Sequence, residues 1–185
     1  MISRPRIVFD TNCLIDLEER RPAATSLDAL IVAAQVGRIE LAVVAVSASE
    51  NQPGGGSSSS YGEFEARLVS IGLADAQQLL PIATWDVSYF DHALLSLDDL
   101  ESLALKIRAV LFPGEQPGDN STDSLVTAKW RNRHCDVMVA WCCIHHGWYH
   151  LVTSDKNFHK HRKELAALGL KFVLTPNEAA AAHAT

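Results

Sequence analysis

No apolar run in this chain approaches the roughly 20 residues that a transmembrane helix requires, which argues against a membrane protein. The first residues, MISRPRIVFDT, lack the apolar core and small-residue cleavage site of a secretory leader, because the hydrophobic stretch breaks at Asp10. An intracellular, cytoplasmic protein is expected. Cysteine is scarce: of Cys13, Cys135, Cys142 and Cys143, three crowd one segment and two are adjacent, which is no layout for a disulfide framework. Basic charge is not in excess either. With 16 Lys and Arg against 22 Asp and Glu the formal charge is −6, which argues against a general polyanion binder held by a basic surface. Nucleic acid as a substrate is still allowed, since carboxylates that hold a metal are neutralised in the working site.

What is present suits one globular domain over residues 1–185, with 48% hydrophobic and 21% charged residues. Residues 5 to 9 read as a short buried strand. Pro22 to Gly37 reads as a helix, with Leu27, Leu30, Ile31 and Ala34 on one face, Thr25 and Asp28 as a capping box, and Gly37 closing the end. ELAVVAV, 40 to 46, is a continuous apolar strand, and Ser47 to Glu50 turns into a further helix. PGGGSSSS, 53 to 60, has no packing potential and reads as a flexible loop. Residues 62 to 112 form a helical insert, inside which LLPIATW is ambiguous between loop and strand. Pro113 to Asn120 is a second loop. A nearly all-apolar helix is expected from 134 to 146, ended by Gly147. Strands follow at 148 to 154 and 171 to 175, separated by a short basic helix, and Pro176 stops the last strand. Short apolar strands alternating with helices predict a three-layer α/β/α fold around a mostly parallel sheet.

In such sheets ligands bind at the carboxyl ends of strands. Asp10 and Asp155 both stand at such ends, Glu50 follows a third, and Asp136 opens a helix with little polar surface to offer it. Any one of these acids could be a turn residue or a helix-terminus charge. Four of them at matching places suggest a shared cation. An unpaired buried carboxylate either shifts its pKa or destabilises the fold. A hard cation such as Mg²⁺ or Mn²⁺ takes oxygen ligands and resolves that cost. Asp10, Asp136, Asp155 and Glu50 are the candidate metal ligands and catalytic groups. Thr11, Asn12 and Ser154 are supporting hydrogen-bonding groups, and Asp16 and Asp123 are reserves. Basic residues flank the acids in KWRNRH and KNFHKHRK. Lys156, His159, Arg131 and Arg133 are candidate contacts to a nucleic-acid backbone, although solvated helix faces would look the same.

These stretches resemble the PIN-domain nucleases. IVFDTNCLIDL resembles that family's opening signature, SASENQ is placed like its acidic residue after the second strand, and HCDVMVAWCCIHHGWYHLVTSDKNF is similar to its closing block. KFVLTPNEA resembles its last strand. The resemblance covers roughly residues 5 to 50 and 130 to 180 by the element patterns, while 51 to 120 departs from the compact family. It implies a Mg²⁺- or Mn²⁺-dependent endoribonuclease, with RNA as substrate. It also allows a toxin paired with an antitoxin protein, and a homodimer. The alternative is an inactive PIN-like module that binds RNA or serves as a scaffold. Two further chemistries fit less well. Cys142 and His146 lie one helical turn apart but lack the second ligand pair of a zinc site. FDTN also resembles the aspartyl-nucleophile phosphatases of the haloacid dehalogenase type, which need a second Asp where Asn12 stands.

Overall fold

The computed structural model describes residues 4–49, 60–84, 87–95, 98–114 and 128–184. Glu50, Asp123, Trp85, the 53–59 run and most of the 113–120 loop lie outside the described residues. Among the described residues a five-stranded, all-parallel sheet runs in the order β3-β2-β1-β4-β5, with β1 Arg6–Phe9, β2 Glu40–Val44, β3 Gln77–Leu79, β4 His150–Val152 and β5 Phe172–Leu174. β1 pairs with β2 and β4, and Phe9 stands level with Val43 and Val152. The strands therefore end together, and their carboxyl ends form one edge.

The strands are nearly continuous apolar runs because both sheet faces are covered. Successive side chains point to opposite faces. Val8, Ala42, Val44, Leu151 and Val173 enter the core under α5 (Ala128–His145), joined by Ile107 and Leu111 of α4 (Asp98–Leu111), Phe158 of α6 (Lys156–Lys160) and Leu165 of α7 (Arg162–Leu168). Ile7, Phe9, Leu41, Val43 and Val152 enter the other core. It is built on α1 (Thr11–Glu18), α2 (Ala24–Gln35), α3 (Tyr61–Ser70) and α8 (Pro176–His183). The result is a three-layer α/β/α fold. No helix of the described residues is long and apolar enough to cross a membrane.

Four expectations from sequence are corrected. α2 has Ala23 at its N-cap with no side-chain cap, so Thr25 and Asp28 form no capping box, and Asp28 instead accepts from Arg20 at 2.7 Å. β2 stops at Val44, and Ala45–Ala48 is a 3₁₀ turn rather than more strand. The 62–112 segment is not wholly helical. It contributes β3, an edge strand paired with β2, because Leu79 can reach the core beside Val44. α5 begins at Ala128, so Asp136 sits in its third turn rather than at its start. There the attraction of a carboxylate to a helix N-terminus has already faded.

Pro176 does stop β5, and it also starts α8, whose N-terminus is well capped. Thr175 Oγ1 accepts from the Glu178 N–H at 3.2 Å, and Glu178 Oε2 accepts from the Thr175 N–H at 2.8 Å. Thr175→Ala is expected to lower stability by about 1 kcal/mol without affecting any activity, which chemical denaturation measures.

Candidate active site

Asp10 follows β1 directly and caps α1, so the chain delivers it to the carboxyl edge with its backbone fixed on both sides. It is only 1% exposed. Oδ1 accepts from the Thr11 N–H at 2.8 Å; Oδ2 accepts from Thr153 Oγ1 at 2.7 Å and from Asn12 Nδ2 at 3.1 Å. Burial pushes its pKa above the ordinary 3.8, against the hydrogen bonds from Thr153, Asn12 and Thr11, and the charge of Asp155 adds to the rise.

Asp155 comes from the end of β4 and caps α6, where its Oδ1 accepts from the Asn157 N–H at 2.7 Å. The two acids share one linker. The Thr153 hydroxyl accepts from the Asp155 N–H at 2.9 Å and donates to Asp10. Thr153 is fully buried, and its carbonyl accepts from His159 Nε2 at 2.9 Å. That bond places the proton of a neutral His159 on Nε2.

Asp136 lies on α5. This helix ends at His145 and hands the chain through Gly147, in a left-handed conformation, back to β4. It therefore runs against the strands and starts at their carboxyl edge, where Cys135 Sγ lies 3.9 Å from the carbonyl of Val46. Asp136, Ala140 and Cys143 share one stripe of the helix. The Cys143 thiol, pushed up chiefly by burial, also feels the charge of Asp10. Cys143 thus lies toward Asp10, and half-buried Asp136 stands two turns from it on the same stripe. Asn132 lies one turn further along this stripe, and its Oδ1 is buried without a hydrogen-bond partner.

The supporting residues divide differently from expectation. Asn12 does support Asp10. Thr11 supports it through its N–H only, since its hydroxyl donates to Ser47 Oγ at 2.8 Å and ties α1 to the turn after β2. Ser154 turns away and donates to Asp16 Oδ2 at 2.9 Å; Asp16, 5% exposed, also faces Arg21 at 3.5 Å. Sequence reasoning missed Thr153 and Ser47. In VTSD the two hydroxyls are equivalent on composition. Strand alternation was the available signal, because it sends neighbours to opposite sides.

Lys156 is exposed, and His159, Arg131 and Arg133 are half-buried. The zinc alternative finds no support. Cys142 and Cys143 are buried thiols whose pKa values burial raises, and His146 Nε2 is engaged by the Leu80 carbonyl at 3.0 Å. Trp141 and Trp148 are core residues. A cavity of about 400 Å³, lined by Arg4, Glu40, Leu41, Gln77 and Trp148, opens at the opposite edge of the sheet and does not touch the acids.

Among the described residues no three His, Cys, Asp or Glu side chains are gathered to hold a metal ion. The candidate groups Asp10, Asp136 and Asp155 carry oxygen donors, the kind a hard cation takes, and Asp10 is desolvated and feels the charge of Asp155. Comparison of the chain with protein-family models, curated proteins and solved structures finds no match.

Proposed function

We propose that this protein is a Mg²⁺- or Mn²⁺-dependent endoribonuclease of the PIN-like type. The observation that carries the reading is Asp10, buried at the end of the central strand and joined to Asp155 through one shared hydroxyl. A buried carboxylate beside a second negative charge is unfavourable as it stands and becomes favourable around a cation. Asp10, Asp136 and Asp155 would hold the metal, with Glu50 as the fourth acid in this reading. When bound, the metal lowers the pKa of a water and stabilises charge on the phosphate. The chain's own residues do the rest. Thr153 fixes the spacing of the two aspartates, Asn12 keeps Oδ2 of Asp10 in one orientation, and His159 anchors the turn that carries Asp155. The toxin half of a toxin–antitoxin pair, acting in the cytoplasm, is the biological setting this reading favours.

The test is cleavage of single-stranded and structured RNA in Mn²⁺. Wild type is expected to cleave, and Asp136→Asn to lose at least about 100-fold, beyond what loss of a mere supporting group costs. Equal activity in the two proteins would sink the assignment. A second reading, an inactive RNA-binding module, is favoured by the absence of a gathered metal-ligand trio among the described residues. It predicts RNA binding without cleavage at any metal concentration.

A further inference from the structure

Asp16 has no part in the reading so far, yet it is 5% exposed and stands on the helix that Asp10 caps. That helix, α1, ends in a Schellman turn. The Arg20 N–H donates to the Leu17 carbonyl at 3.4 Å, and the Arg21 N–H donates to the Asp16 carbonyl at 3.0 Å. Arg20 takes the left-handed conformation that this turn requires, with φ at 52°. The chain thereby folds back, and Arg21 Nη1 comes within 3.5 Å of Asp16 Oδ1. The other oxygen, Oδ2, accepts from Ser154 Oγ at 2.9 Å. Ser154 stands between Thr153 and Asp155. Two consecutive hydroxyls of the turn from β4 into α6 therefore dock on one helix. Thr153 reaches its cap, Asp10, and Ser154 reaches Asp16, nearly two turns further along.

We propose that Asp16 is a positioning residue for Asp155, acting through Ser154 to fix the turn that carries this acid. What Asp155 does there rests on the nuclease reading; the holding of the turn does not. Three observations support it. A single bond leaves a turn free to rotate about it, whereas two docking points on one rigid helix fix its rotation as well as its place. The Ser154 bond joins residues 138 apart in sequence, although a serine in such a turn has backbone acceptors of its own close by. Asp16 itself sits among buried Leu14, Ile15 and Leu17, where a carboxylate is costly unless it is paired and hydrogen-bonded. Arg21 and Ser154 supply both, and an apolar side chain of similar size would have stabilised the fold as well. What the carboxylate adds is direction. Thr153 holds the Asp155 N–H, the Asp155 side chain caps the Asn157 N–H, and Asp16 holds the residue that precedes Asp155.

The experiment compares wild type, Ser154→Ala, Ser154→Thr, Asp16→Ala and Asp16→Asn by two measurements. The first is the Mn²⁺ concentration that gives half the maximal thermal shift. The second, made in EDTA, is the amide exchange rate at the Asp155 and Asn157 N–H groups. Ser154→Ala and Asp16→Ala are expected to raise the Mn²⁺ concentration about 10-fold and to speed exchange at these two amides about 10-fold. Ser154→Thr keeps the hydroxyl and Asp16→Asn keeps an acceptor, so both stay close to wild type. If Asp16→Ala fails to fold, Ser154→Ala carries the comparison, because Ser154 is exposed and its truncation empties no core. A lower thermal midpoint in EDTA with the wild-type Mn²⁺ concentration and wild-type exchange at both amides is the signature of a merely structural bond and would overturn the proposal. Wild type that is stabilised by Mn²⁺ but leaves RNA intact would overturn the nuclease reading and leave Asp16 in its role. Wild type that Mn²⁺ does not stabilise would overturn the metal site, and the exchange rates then decide the role of Asp16 by themselves.

Discussion

Asp10→Asn is expected to abolish Mn²⁺-dependent RNA cleavage without costing stability in EDTA at neutral pH. The two parts have one cause. Burial raises the pKa of Asp10, so the folded state is penalised for ionising it. An asparagine of the same shape escapes that penalty. The Thr153 hydroxyl and the Asn12 amide can both turn to accept from it. In the wild type, the native state keeps a proton on Asp10 at pH values where the unfolded chain, titrating near 3.8, has released it. Stability therefore falls as pH rises from about 4 through the elevated native pKa. This component disappears in Asp10→Asn. Added Mn²⁺ requires the ionised form, so its thermal shift in the wild type grows with pH across that window and is absent in the variant. Thermal midpoints from pH 4 to 8, with and without Mn²⁺, read all of this. A variant that still cleaves, or is still stabilised by Mn²⁺, would remove Asp10 from the site.

Thr153→Val is the second large effect, and it needs no change in volume. The hydroxyl is fully buried and serves both acids, donating to Asp10 at 2.7 Å and accepting from the Asp155 N–H at 2.9 Å. Its loss leaves the buried Asp10 carboxylate and the half-buried Asp155 N–H each one partner short, at a cost of about 1–3 kcal/mol for a buried group left unsatisfied. It also removes the strongest influence holding the Asp10 pKa down. Activity is expected to fall about 10- to 100-fold, with the acid limb of the pH–rate profile displaced upward. In the double variant with Asp10→Asn the stability change should differ from the sum of the two single changes, because the two side chains share one bond. Thr153→Ser, which keeps the hydroxyl, should recover most of the activity. Equal activity in Thr153→Val and wild type would show that the linker is structural only.

Apolar patterning made the α/β/α class legible. Runs such as RIVF and ELAVV carry no alternation, so they had to be strands buried on both faces, and such strands belong to parallel sheets. Asp10 and Asp155 were legible for the same reason, since a carboxylate that ends a buried run must lie at the sheet edge. Where the elements begin and what they join was less legible. KWRNRH looks like a solvated face in one dimension. It became the first turns of α5 because Trp130 and His134 stack on each other and on what α4 presents, a contact between residues far apart in the chain. The strand β3 was hidden in a segment with helical periodicity on either side. Three residues carry too little pattern to be read, and pairing with β2 decided their state.

The sequence by itself determined which carboxylates end up at the carboxyl edge, because position at the end of an apolar run is a one-dimensional property. Only the tertiary structure decided which hydroxyls serve them. Thr153 and Ser154 are neighbours of like chemistry. The pleat sends one to Asp10 and the other to Asp16, and the helix start sends the Thr11 hydroxyl to Ser47 while Asn12 turns back to Asp10. A hydrogen bond depends on direction within a few tenths of an ångström. Direction is set by the packing of strands and helices against one another, which composition and spacing do not encode locally.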